Sequence, residues 1–293
     1  MKVLVVGNPI AGGGAAARKI EALAELLRAR GHAVEVFLTA AAGDARARAA
    51  APEFGADALI AAGGDGTLNE VVNGLREPFA TPVGFLPAGT ANVTARELGL
   101  SGTPEEIAAL IEAGDARRID VGRAGGRRFL MVASVGFDAL VVAEDARRRA
   151  KSQRFTRFAV PILRALWRYR APALTVTVDD APPVKGALAI VSKTRHYGGL
   201  FSLAREARCD SGVFEVTVCA RGSRPALVLY ALAALCGRME RLGGVRTLRG
   251  IRVAVESEAP APVEVDGEPF GTTPATFELA AGALPFLAPP RRS

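Results

Sequence analysis

Through the first third of the chain, short aliphatic runs alternate with stretches in which apolar residues recur every three or four positions. The runs are Val3–Val6, Ala33–Leu38, Ala58–Ala62 and Pro82–Leu86, and the helical patterns are Ala15–Arg30, Ala45–Phe54, Leu68–Leu75, Thr90–Leu98 and Thr103–Ala113. Strand and helix in strict turn predict a parallel sheet with helices on both faces. Thr103–Ala113 carries its own start signal, with Thr103 as cap, Pro104 at the first position and Glu106 at the third.

After about residue 121 the grammar changes. Strand patterns separated by Gly, Pro and Asp follow at Phe129–Val135, Leu174–Val178, Gly186–Ser192, Gly212–Cys219, Ile251–Glu256 and Pro262–Val265, interrupted by two helical stretches, Ala146–Arg170 and Pro225–Leu242. The expected fold is therefore α/β: a doubly wound parallel-sheet domain over residues 1–121, and a second, mainly antiparallel β-sandwich domain over 122–280. The closing run Ala283–Leu287 is expected to return to the first domain, which then includes residues 281–293.

A length of 293 residues suits two domains, and 49% hydrophobic with 23% charged residues excludes a disordered or fibrous chain. Met1–Gly7 reads as a strand rather than a signal peptide, and the longest apolar run, Ala226–Cys236, falls well short of the roughly 18 residues of a membrane span. The expectation is a cytoplasmic protein with peripheral membrane contact. Cys209, Cys219 and Cys236 are odd in number, lack C-x-x-C spacing and read as core thiols. The net charge of +7 suits nucleic acid, an anionic membrane or a phosphate-rich substrate alike.

Chemistry concentrates in three loops. Gly63, Gly64, Asp65, Gly66 and Thr67 lie between a buried strand and a helix, where backbone N–H groups and the helix N-terminus together favour an anion. Glycine allows close approach to phosphate oxygens, and Thr67 is a candidate hydrogen-bond donor to phosphate and helix cap. Asp65 would repel phosphate unless a cation lies between them, which points to Mg²⁺. Taken alone, the loop also reads as a glycine turn with Asp65 or Thr67 as an ordinary cap. Two further loops, Asn8–Gly14 and Pro87–Asn92, follow strands, and in a parallel sheet such loops share one edge. Neither G-x-G-x-x-G nor G-x-x-x-x-G-K-[ST] occurs.

Asn8-Pro-Ile-Ala-Gly-Gly-Gly14, Gly63-Gly-Asp-Gly-Thr-Leu-Asn-Glu70 and Pro87-Ala-Gly-Thr-Ala-Asn92 resemble, in order and spacing, the nucleotide-binding motifs of the diacylglycerol kinase catalytic domain. Tyr197-Gly-Gly199, Ala207–Val216 and Val265-Asp-Gly-Glu-Pro269 are similar to landmarks of its bacterial lipid kinase branch, which is diacylglycerol kinase- or sphingosine kinase-like. The G-G-D-G-T string also occurs in NAD kinases, but the Leu68-Asn69-Glu70 continuation and Asp266-Gly267-Glu268 favour the lipid kinases.

The resemblance implies transfer of the γ-phosphoryl group of ATP to a lipid hydroxyl, with Mg²⁺. Toward ATP it carries over Asn8, Gly12, Gly13, Gly14, Thr39, Gly63, Gly64, Asp65, Gly66, Thr67, Leu68, Asn69, Glu70, Gly89, Thr90 and Asn92, with Asp65 beside the catalytic Mg²⁺. Asp266 and Glu268 match the acidic pair of the catalytic cleft, one of them the general base; without the resemblance, Asp-Gly here reads as a hairpin turn. A structural Mg²⁺ of relatives falls on Asp210 and Ser211, where Ser211 stands in place of an aspartate before Gly212. A serine hydroxyl is a poor ligand for so hard a cation. The implied partner is a lipid substrate at the inner face of the membrane, with a homodimer left open. Diacylglycerol, monoacylglycerol, phosphatidylglycerol, sphingoid bases and ceramides are all substrates somewhere in the family.

Nine of the 37 Lys and Arg residues fall between Arg147 and Arg170, a stretch without an acid. There Phe155, Phe158, Ile162, Leu163, Leu166 and Trp167 recur at helical spacing among Arg154, Arg157, Arg164 and Arg168, with Pro161 expected to divide the helix. Such a helix either lies in a membrane interface or packs its apolar stripe on the β domain. Pro225–Leu242, with Leu229, Leu232, Leu235 and Met239, reads as core. Nucleic acid is not an expected partner, because only 6% of residues are aromatic and no base-reading motif occurs. An NAD kinase-like enzyme with a soluble acceptor and a catalytically silent lipid or nucleotide binder are the alternatives.

Overall fold

A computed structural model of the chain describes residues 1–51, 55–114, 116–147, 156–197, 201–202 and 204–290. It divides into two compact units, Met1–Val121 with Ala281–Ser293 and Gly122–Ala280. Unit 1 contains strands β1 (Lys2–Gly7), β2 (Ala33–Leu38), β3 (Ala58–Gly63) and β4 (Val83–Pro87). Its helices are α1 (Ala15–Ala29), α2 (Asp44–Ala50), α3 (Asp65–Gly74), α4 (Val93–Leu98) and α5 (Pro104–Ala113). The strand order is β2-β1-β3-β4, and each of these pairings is parallel. Every residue of β3 and β4 is buried, as expected of strands covered on both faces and written as continuous aliphatic runs. The order turns at β1, which pairs with β2 on one side and β3 on the other, so a topological switch point lies between β1 and β3.

Along the chain follow β5 (Ala116–Ala124), β6 (Arg127–Phe129), β7 (Val132–Val135), α6 (Phe137–Ala146), α7 (Thr156–Arg168), β8 (Leu174–Val178), β9 (Val184–Gly186), β10 (Leu188–Ser192), β11 (His196–Tyr197) and β12 (Phe201–Ser202). Then come β13 (Phe214–Cys219), α8 (Arg224–Leu235), β14 (Val245–Gly250), β15 (Arg252–Ser257), β16 (Pro262–Val265), β17 (Glu268–Thr272) and β18 (Ala275–Leu287). The far end of β18 returns to unit 1, where Phe286 pairs in parallel with Val83 of β4.

Unit 2 is a sandwich. One antiparallel sheet runs β14-β13-β10-β7-β16-β17, and the other brings the first residues of β18 beside β15, β8 and β9. Between them, Phe129 stacks on Phe214 at 5.6 Å and meets Phe277 edge-on, amid valines of both sheets. A second core, including Ile190, Leu227 and Tyr230, fills the space under the helices.

Several expectations are corrected. Three α-helices interrupt the strands rather than two, because α6 was not anticipated, and Pro161 lies inside α7 without dividing it. Edge strands β14 and β17 were missed because their largely exposed residues carry no alternating apolar signal. Helix α2 ends at Ala50, and residues 52–54 of the predicted Ala45–Phe54 lie outside the described residues, as do Arg154, Phe155 and the Gly198 and Gly199 of the Tyr-Gly-Gly string. Leu229, Leu232 and Leu235 are exposed while Met239 is buried, and Cys236 is exposed whereas Cys209 and Cys219 are core thiols.

Candidate functional site

The parallel register sets the carboxyl ends of β1, β2, β3 and β4 on one rim. Backbone bonds lash the loops together there: Asn8 N–H to Ala62 O (2.8 Å), Thr39 N–H to Gly7 O (2.8 Å), and Ala88 N–H to Gly63 O (2.7 Å). Glycines stand where the loops touch. A Cβ on Gly12 (φ +61°) would lie 2.2 Å from the Ala88 carbonyl oxygen, and one on Gly89 would lie 2.6 Å from the Gly64 Cα. Gly13 and Gly14, both left-handed, and Gly66 face open space instead. The first two precede the N-terminus of α1, and Gly64 is the N-cap of α3, so two helix dipoles present their positive ends at this rim.

Other predicted positions hold the rim's shape. Asp65 accepts the Val93 amide (3.0 Å) and the Thr94 amide (3.1 Å), one on each oxygen, and so pins the start of α4. Asn92 adopts φ 46°, a conformation Asn tolerates, and exchanges two 2.9 Å bonds with the Gly89 backbone; this is why α4 starts at Val93 and not Thr90. Thr90 is exposed and Thr39 half-buried, whereas Asn8 folds its side-chain oxygen onto the Ile10 amide. Glu70 accepts the Gly43 amide at 3.0 Å, bracing the loop after β2.

Two assignments are corrected. Thr67 does not cap α3; it sits in the first turn, buried against Gly63. Leu68 is fully buried, so its side chain belongs to the core rather than to a ligand, and buried Asn69 is bonded to Asn73. A residue not anticipated is Lys19 of α1, whose Nζ donates to Pro87 O and Gly102 O, each at 2.9 Å. A single lysine on an amphipathic helix carries no sequence signal for such a role.

In unit 2, Asp266 and Gly267 have φ 48° and 78° and form the hairpin turn between β16 and β17. The Asp266 carboxylate folds back to accept the amides of Leu130 (2.9 Å), Met131 (3.0 Å) and Val132 (3.0 Å). Glu268 is exposed and ion-paired with Arg127 at 2.5 Å. The two acids therefore differ: one is a backbone clamp, the other a solvated carboxylate.

The predicted metal pair Asp210 and Ser211 does not fit a divalent ion. The Ser211 hydroxyl donates to carbonyl oxygen and accepts from Lys193 Nζ (3.0 Å), which also donates to Val213 O (2.8 Å). Lys193 is fully buried, so a tethered ammonium already sits among these oxygens, and no metal-holding group of three His, Cys, Asp or Glu occurs among the described residues. We expect a chelator to leave thermal unfolding unchanged, and Lys193→Ala to destabilise by on the order of 3 kcal/mol through the lost packing and the lost bonds to Ser211 and Val213. A chelator-induced drop in Tm would contradict this.

Behind the Asp-Gly turn lie a fully buried acid, Glu264, and a half-buried one, Asp138. Glu264 accepts the Gly267 amide at 2.8 Å through Oε2, while its buried Oε1 has no hydrogen-bond partner among the described residues. Asp138 accepts the Ser134 hydroxyl (2.7 Å) and the Tyr197 hydroxyl (2.9 Å), and Ser134 is the strand partner of Glu264. Burial raises both acids above their ordinary values of 4.5 and 3.8, and Asp138 raises Glu264 further. The folded state thus binds more protons than the unfolded one above those ordinary values. Stability is fully present below them and is lost as pH rises through the raised folded values. Glu264→Gln should flatten this decline and raise Tm at neutral pH; an unchanged Tm-versus-pH curve would contradict it. The signal in the sequence was a lone Glu between Val263 and Val265 in a strand otherwise written for burial.

Comparison with known proteins agrees with this geometry. A family model described as the diacylglycerol kinase catalytic domain matches residues 2–124, and one described as the YegS C-terminal NAD kinase beta sandwich-like domain matches residues 131–288. The Mycobacterium tuberculosis diacylglycerol kinase is 31% identical over 297 residues, covering 98% of this chain and 95% of the relative. The Bacillus subtilis diacylglycerol kinase is 28% identical over 283 residues, covering 93% and 91%. A crystal structure from Bacillus anthracis str. Sterne, provisionally assigned as a diacylglycerol kinase, superposes with a TM-score of 0.80 at 26% identity, covering 99% of this chain and 95% of that one.

Proposed function

This chain belongs to the diacylglycerol kinase catalytic-domain family, and on that premise we propose that it transfers the γ-phosphoryl group of ATP to the hydroxyl of a membrane lipid, diacylglycerol or a close relative. The observation that carries the reading is the rim of unit 1, where Gly12 and Gly89 stand at close contacts between loops and glycines cap the N-termini of α1 and α3. Backbone amides of Gly12–Gly14 and Gly64–Thr67 would hold the polyphosphate. Asp65 retains carboxylate lone pairs beyond its two amide bonds and is the residue to hold Mg²⁺, an ion that such sites bind through one or two carboxylates and the phosphates themselves. When bound, Mg²⁺ neutralises charge on the β- and γ-phosphate oxygens.

The lipid oxygen attacks the γ-phosphorus, the bond from that phosphorus to the bridging oxygen breaks, ADP departs, and the hydroxyl proton passes to a carboxylate. We assign that carboxylate to Glu268. It is exposed and, among the described residues, is held by Arg127 alone, whereas Asp266 already accepts three amide hydrogens. The NAD kinase-like character of the unit 2 match favours a second reading, a soluble acceptor. Incubation with γ-labelled ATP and either diacylglycerol in mixed micelles or NAD separates the two. Label in the lipid phase is expected, and label confined to the dinucleotide would overturn the lipid assignment.

A further inference from the structure

Among the described residues, ten large hydrophobic side chains are exposed, and six of them crowd onto two helices of unit 2: Leu163 and Trp167 of α7, and Val228, Leu229, Leu232 and Leu235 of α8. Helix α8 has two apolar faces. Leu227, Tyr230, Ala233 and Ala234 pack into the second core, while the opposite stripe is 45–56% exposed at its four large residues. An amphipathic surface helix would place polar residues on that outer stripe. Here no charged residue occurs from Pro225 to Gly237.

The two helices are joined at their ends. Arg224 donates to Leu166 O and Trp167 O, both at 3.1 Å, and its guanidinium lies 4.8 Å over the Trp167 ring, which is 73% exposed. Exposed arginines occur on and just after α7, at Arg164, Arg168 and Arg170, and flank α8 in sequence, at Arg221 and Arg238. Arg168 is paired with Glu144, but no acid lies within residues 161–170 or 221–239.

We propose that the outer faces of α7 and α8 form one docking surface for an anionic phospholipid bilayer, with α8 supplying the apolar contact and the arginine fringe the attraction to lipid headgroups. Charge selects this occupant. A second copy of the chain seated on the same face would oppose arginine to arginine, whereas an anionic interface complements the fringe and accepts leucine and tryptophan at the level of the headgroups. The inference deepens the lipid-kinase reading and rests on it for its physiological meaning. Its test needs no turnover, so the two can fail separately.

Trp167 is the sole tryptophan of the chain and reports directly on the surface. With the full chain and phosphatidylcholine vesicles containing phosphatidylglycerol, its emission should shift to the blue and the protein should pellet with the vesicles; pure phosphatidylcholine should give much less of both. Leu229→Glu with Leu232→Glu should reduce vesicle partition about tenfold or more, and the milder Leu229→Ser with Leu232→Ser should act in the same direction if the charged pair disturbs folding. The proposal is overturned by an unshifted Trp167 emission, by wild-type partition of both variants, or by a concentration-dependent dimer that these substitutions dissolve in the absence of vesicle binding.

Discussion

Gly12→Ala is expected to weaken ATP binding about 100-fold or more, because misplacing binding groups by about 1 Å is enough for losses of that order. The added Cβ would stand 2.2 Å from the Ala88 carbonyl oxygen and would have to tolerate φ +61°. Neither partner is a flexible side-chain end, so the first and third loops must part. Gly89→Ala should act alike through the Gly64 Cα at 2.6 Å, separating the second and third loops. Gly13→Ala, with nothing within 4 Å and only the backbone strain at φ +68°, should do less harm. Calorimetric titration with ATP and Mg²⁺, alongside circular dichroism to show that folded structure persists, checks the series. Near-wild-type affinity in Gly12→Ala would mean that the loop contacts do not shape the nucleotide site.

The second large effect separates the two acids of the Asp-Gly turn. Asp266→Ala strips acceptors from the amides of Leu130, Met131 and Val132; Leu130 and Val132 are buried, and each buried donor left unpaired costs roughly 1–3 kcal/mol, so these two alone give an expected loss of roughly 2–6 kcal/mol. Glu268→Gln should barely move the Tm, since an exposed ion pair contributes roughly 0–1 kcal/mol. It should instead lower kcat by roughly 10²- to 10⁴-fold with the KM for ATP unchanged, the range expected when a general base is removed. Urea denaturation and steady-state kinetics on both variants decide the matter. Full activity in Glu268→Gln, with a stable but inactive Asp266→Asn, would exchange the roles.

Much of unit 1 was legible because its constraints are local. Valine-rich runs, the Thr103 cap bonded to Glu106, and glycine strings after strand ends each announce their element, and the parallel register then brings the loops to one rim. The structural duties of Asp65 and Asn92 were not legible, since both are met by backbone atoms elsewhere in the chain or by a left-handed turn. Unit 2 was harder. Its edge strands are exposed, and α8 reads as core because a helix apolar all round ordinarily is buried. The buried Lys193 that bonds Ser211 lies 18 residues from it, a partnership set by the fold and invisible in sequence spacing.

In the proposed kinase, three loops at the rim of unit 1 grip a triphosphate. Amide hydrogen exchange, read by mass spectrometry with and without MgATP, tests it most directly. Protection gathered in residues 8–14, 63–67 and 87–92 is the result predicted here. Protection absent from those segments, or concentrated elsewhere in the chain, would contradict it.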